Sequence, residues 1–69
     1  MQVRAAFFVL DFKFLVPKGT ILKEIFDNIF QVTEASLVEM GGFKVAPVGT
    51  IFNLNPSFLS LLEDTTGAN

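Results

Sequence analysis

The 69-residue sequence contains no cysteine, histidine, tryptophan or tyrosine. Without cysteine there is neither a disulfide nor a thiolate metal site. Without histidine the commonest transition-metal ligand and the usual proton shuttle at neutral pH are missing. Hydrolytic triads and thiol mechanisms are therefore excluded. Basic charge is also sparse. Arg4, Lys13, Lys18, Lys23 and Lys44 are scattered along a chain of net charge −2. Nucleic-acid binding needs clustered positive charge, so that class is not expected. Long hydrophobic runs are absent too. Ala5 to Leu10 ends at Asp11, and the uncharged stretch from Val45 to Leu62 is interrupted by Pro47, Gly49, Asn53, Asn55 and Pro56. Neither reads as a secretion signal or a membrane span.

What is present is apolar bulk. Nine residues are Phe, and 51% of the chain is hydrophobic. A domain of this size buries only about 60% of the surface that its unfolded form exposes. That much apolar side chain exceeds so small an interior, and large bare apolar patches are uncommon on soluble monomers. The expected partner is protein, either further copies in a homo-oligomer or a larger assembly.

Two stretches organise the chain. Phe12 to Leu22 reads Phe-Lys-Phe-Leu-Val-Pro-Lys-Gly-Thr-Ile-Leu. Phe43 to Phe52 reads Phe-Lys-Val-Ala-Pro-Val-Gly-Thr-Ile-Phe. Each predicts a strand, a Pro-x-Gly turn of the three-residue hairpin kind, and a short returning strand. The first strand is expected to run from residue 3 to 16 as one long element. Its even face, from Ala6 to Val16, is apolar throughout. Its odd face begins apolar with Val3, Ala5, Phe7 and Val9 and turns polar at Asp11 and Lys13, and Phe7 and Val9 are expected to be covered by a helix or another chain.

From Ile21 the apolar residues come in pairs: Ile21-Leu22, Ile25-Phe26 and Ile29-Phe30. That spacing predicts a helix over about 23–31 after a brief extended segment at 20–22, or a helix capped directly by Thr20. A second helix from Glu34 to Met40, or a strand over 35–39, comes before Gly41-Gly42. Asn55 followed by Pro56 predicts a third helix, with Phe58, Leu59, Leu61 and Leu62 as its apolar stripe and Thr65-Thr66-Gly67 as its end. The sequence-based expectation is one α+β domain over 1–69. Two strand–turn–strand units form a small curled antiparallel sheet, each followed by a short helix. A mainly β chain is the alternative.

The paired Pro-x-Gly-Thr-Ile segments resemble those of the β-clip group, which includes domains like type III antifreeze proteins and the small head-decoration proteins of some tailed phages. The likeness covers two stretches of about ten residues and carries no ligand site with it. It implies a protein that stabilises an assembly.

No motif points to a reaction. Glu24 and Asp27, with Asn28, could hold a hard cation from one helix face. The simpler reading is the wet side of an amphipathic helix. Gly41-Gly42 lacks the rest of a phosphate-loop pattern. An apolar ligand pocket framed by phenylalanines needs more interior than this chain has. The expectation is a non-enzymatic structural subunit, such as a capsid decoration or minor virion protein, found in the virion or the cytoplasm. No cofactor or metal is expected. Val3, Phe7, Val9, Phe58 and Leu62 are the candidate interface. The alternative is a small inhibitor or regulatory binding module acting as a free monomer or dimer.

Overall fold

The computed structural model describes residues 1–36 and 41–63. Seven strands and one short 3₁₀ helix make up its regular structure. They are β1 (Gln2–Val3), β2 (Phe7–Val9), β3 (Phe14–Val16), β4 (Ile21–Phe26), β5 (Ile29–Glu34), β6 (Ile51–Asn53), the 3₁₀ helix Pro56–Leu61 and β7 (Leu62–Glu63). Five strands form an antiparallel sheet in the order β6-β5-β4-β1-β7, and β2 pairs with β3 in a second, antiparallel ribbon. The ribbon is extended by a parallel bridge between Leu15 and Val45. The chain is mostly β, which overturns the α+β expectation.

The helix expected over about 23–31 is instead the β4–β5 hairpin. Asp27 and Asn28 form its two-residue turn, with Asn28 at φ 60°. Asn tolerates that left-handed conformation better than most residues. The two-on, two-off pattern of Ile21 to Phe30 comes from a bulge. The register shifts between Glu24 and Phe26, so alternation breaks at Ile25. An extra residue in one strand imitates helical spacing without a helix.

The strand expected over 3–16 is also broken. Arg4, Ala5 and Ala6 separate β1 from β2, and Leu10 to Lys13 form a hairpin loop between β2 and β3. Leu10, Asp11 and Phe12 all have positive φ (53°, 57° and 64°), and Lys13 N–H donates to the Leu10 carbonyl at 3.2 Å. No glycine or proline marks this turn. The expected C-terminal helix is a single 3₁₀ segment, although its start is as expected. The Asn55 side chain accepts from Ser57 N–H at 2.9 Å, and Pro56 follows the cap. The element expected over 34–40 lies largely outside the described residues, as does the end expected at 65–67.

The Pro-x-Gly segments are corners, not hairpin loops. Each takes the chain from the ribbon side into the five-stranded sheet, because β3 pairs with β2 while β4 pairs with β1 and β5. Their geometries match closely. Gly19 and Gly49 sit at φ 95° and 97°, which only glycine adopts freely. Thr20 N–H donates to the Pro17 carbonyl at 3.2 Å, and Thr50 N–H to the Pro47 carbonyl at 3.1 Å. Both threonine hydroxyls donate to the same proline carbonyls at 2.7 Å.

The likeness extends beyond the corners. Gly19 N–H donates to Val3 at 2.9 Å, and Val3 N–H donates to Thr20 at 2.9 Å. In the second unit, Gly49 N–H donates to Val32 at 2.8 Å, and Val32 N–H donates to Thr50 at 2.9 Å. So Gln2-Val3 and Gln31-Val32 are equivalent, as are Ile21 and Ile51, which pair with Gln2 and Gln31 respectively. Leu15 and Val45, thirty positions apart, face each other across the bridge. The chain is an internal repeat, and β4 takes part in both halves.

The core lies between the sheet and the ribbon. It contains Val3, Phe7, Val9, Val16, Leu22, Phe30, Val32, Ala46, Phe52, Leu54 and Leu62. Phe52 anchors it, with its ring 6.2 Å from Phe7 edge-on and 6.4 Å from Phe30. Burying a side chain of this kind is worth about 1.5–3 kcal/mol. Thr20 is the polar residue buried with them, and its hydroxyl bond to Pro17 satisfies it.

Candidate protein-interaction surface

Four of the five residues expected at an interface are inside the molecule. Val3, Phe7, Val9 and Leu62 belong to the core and present no face to a partner. The reason is the hairpin at Leu10 to Lys13. It folds β2 back onto β3, so Phe7 and Val9 turn inward opposite Val16 and Phe14. Phe58 alone remains accessible, stacked 6.5 Å from Phe7.

The exterior is nevertheless apolar in other places. Phe12 is 81% exposed, Phe26 71%, Val48 62%, Phe43 57% and Ile51 51%, and Leu10, Ile25, Phe58 and Leu59 are also open. Three features place them. The left-handed turn lifts Leu10 and Phe12 away from the core. The tight β4–β5 turn does the same for Phe26. The second Pro-x-Gly corner projects Val48. None of these positions follows from hydrophobic periodicity. The signal that could have found them is the Asp-Asn turn pair, and Asp11 within a run otherwise too long and apolar to be one strand of so small a domain.

Most of these residues fall in two places. Around the ribbon, Phe8 meets Phe12 at 5.8 Å and Phe43 at 5.1 Å. Beside them lies an open groove of about 430 Å³ between the β2–β3 hairpin and the segment that runs from β6 into the 3₁₀ helix. Phe8, Val9, Leu10 and Phe12 line one wall; Phe52, Asn53, Leu54 and Phe58 line the other. The second group lies on the outer face of the large sheet. There Phe26, Ile29 and Asn53 make one rung, and Lys23, Gln31 and Ile51 the next.

Left-handed backbone at a non-glycine residue costs roughly 1–3 kcal/mol. Three such residues in succession, two of them apolar and open to water, amount to a costly way of displaying Phe12. Such strain gathers where a loop has work to do.

The acidic set does not converge. Among the described residues no three Asp or Glu side chains come together to hold a metal ion. Glu24 instead accepts from Asn28 N–H at 3.3 Å, which steadies the hairpin turn. No helix among the described residues is long and apolar enough to cross a membrane. Comparison with known proteins finds no matching family model, no matching curated protein and no matching solved structure.

Proposed function

We propose that this chain is a non-enzymatic structural subunit that packs against copies of itself or into a larger assembly. The observation that carries this reading is the set of open aromatic and aliphatic side chains, led by Phe12 and Phe26. A monomer this small stays soluble most easily with its apolar patches small and dispersed. Here they are gathered at a hairpin tip, a groove and a sheet face. The β-clip likeness of the two corners suggests the more specific form, a decoration or minor component of a viral capsid. Such a role uses surface and rigidity, and asks for no reactive side chain.

One observation favours a second reading. The strained turn from Leu10 to Phe12 holds an aromatic ring out on a fixed loop, as an inhibitor or regulatory module presents a contact residue to a larger protein. Sedimentation of the purified chain separates the two. A structural subunit self-associates or is insoluble alone. A chain that stays monomeric and soluble at high concentration removes the first reading and leaves the second.

A further inference from the structure

The internal repeat exposes a gap. Ile21 and Ile51 are equivalent positions, each following a Pro-x-Gly-Thr corner. Ile21 has strands on both sides, since it pairs with Gln2 in β1 and with Glu34 in β5. Ile51 pairs with Gln31 in β5 only, and its other side is the edge of the sheet. The molecule thus contains one copy of this edge that a strand covers and one that none of the described residues covers.

The bare edge offers its groups in a defined order. Val32 N–H donates to Thr50, and Leu54 N–H donates to Asn28 at 2.8 Å. In an antiparallel ladder with this register, residues 50, 52 and 54 turn their backbone groups toward β5. Ile51 and Asn53 therefore turn theirs outward. Natural edges are usually guarded by charge or by a bulge. The opposite edge strand, β7, ends in Glu63, whereas the chain has no ionisable residue from Val45 to Leu62.

Deepening the assembly reading, on which it rests, we infer that β6 pairs antiparallel with β6 of a second copy across a two-fold axis at Phe52. In that arrangement Ile51 faces Asn53 of the other copy, and Asn53 faces its Ile51. All four outward N–H and all four outward C=O groups of the two edges are then used in pairs. An isologous contact needs a patch that is complementary to itself. The spacing of 51 and 53 about 52 meets that condition. So does the absence of charge, because two copies of a chain with net charge −2 bring no like charges together here. A lasting dimer buries about 1,200 Å² or more in total. Three residues of edge supply little of that. The flanking Phe58 and Phe12, both open in the single chain, are covered along with it.

Sedimentation equilibrium of four proteins tests this. The wild type is expected to be a dimer. Asn53→Pro removes an outward N–H that has no strand partner among the described residues, and is expected to be monomeric with an unchanged far-ultraviolet spectrum. Ile51→Lys is expected to weaken the dimer by about tenfold or more, through lost burial and a charge at the edge. Adding Asn53→Glu to Ile51→Lys sets opposite charges face to face across the axis. This is expected to recover association at low salt and to lose it again at high salt. If Asn53→Pro does not fold, the charge pair decides alone. A wild type that associates regardless of these changes, or grows into open-ended polymers, overturns the edge pairing and leaves the assembly reading in place. A monomeric wild type overturns both.

Discussion

The two Pro-x-Gly-Thr corners have almost the same backbone and opposite surroundings. Pro17 and Thr20 are fully buried, whereas Pro47 and Val48 face solvent and Thr50 is half-buried. Glycine conformation, threonine hydroxyl bonds and proline carbonyls are shared to within 0.1 Å and 2°. Turn chemistry is therefore local, and burial is not. Thr20 is covered because β4 lies in the middle of the large sheet, while Thr50 leads into the edge strand β6. A feature used twice in one chain separates what a motif dictates from what its position in the fold adds.

Core substitutions should break that comparison most severely, and equally in both halves. Leu22 and Phe52 are the equivalent residues after each corner, and both are buried. Phe52→Ala is expected to cost about 3–5 kcal/mol and Leu22→Ala about 2–5 kcal/mol, read from urea unfolding. Domain stabilities are only about 5–15 kcal/mol, so either change threatens folding outright. A much smaller loss in one half would show that the repeat is not energetically symmetric.

Gly19→Ala and Gly49→Ala come next. Each places a Cβ at φ near +95°, and is expected to cost about 1–2 kcal/mol. An added Cβ at Gly19 meets only Ser36 Oγ at 3.9 Å, an ordinary contact, and one at Gly49 meets nothing within 4 Å. The two losses should therefore agree despite the difference in burial. Thermal or urea midpoints that differ widely would show that the turn conformation is not the main term.

The threonines sharpen the comparison in the other direction. Thr20→Val removes a buried hydroxyl bond and is expected to cost about 1–2 kcal/mol, whereas Thr50→Val should cost under about 0.5 kcal/mol. Equal losses would contradict the burial difference. An effect of the opposite sign is expected outside both corners. Asp11→Gly relieves a left-handed residue and should raise stability by up to about 1 kcal/mol, less whatever glycine adds to the freedom of the unfolded chain. A net loss would mean that Asp11 makes a contact that offsets its backbone cost.

Much of the local chemistry was legible in the sequence. The turns at Pro17 and Pro47, their left-handed glycines and the cap at Asn55 all follow from residue preference. So does the excess of apolar side chain, since it needs only counting. What the corners connect was not legible. A Pro-x-Gly turn looks the same whether it joins neighbouring strands or passes between sheets, because only distant pairing tells the two apart. The helix expected over about 23–31 failed because a bulge at Ile25 gives a hairpin the spacing of a helix. The interface assigned to Val3, Phe7, Val9 and Leu62 failed for a related reason. Leu10 and Phe12, on either side of Asp11, adopt a left-handed backbone that their types disfavour, and the reversal they make decides which face of β2 turns inward.

Because β4 borders both β5 and β1, neither half of the duplicated chain owns a complete sheet. Separated at the β4–β5 turn, each fragment would lack a strand the other supplies, so the halves cannot melt one at a time. Denaturant should then give a single cooperative transition, with every spectroscopic probe reporting the same midpoint.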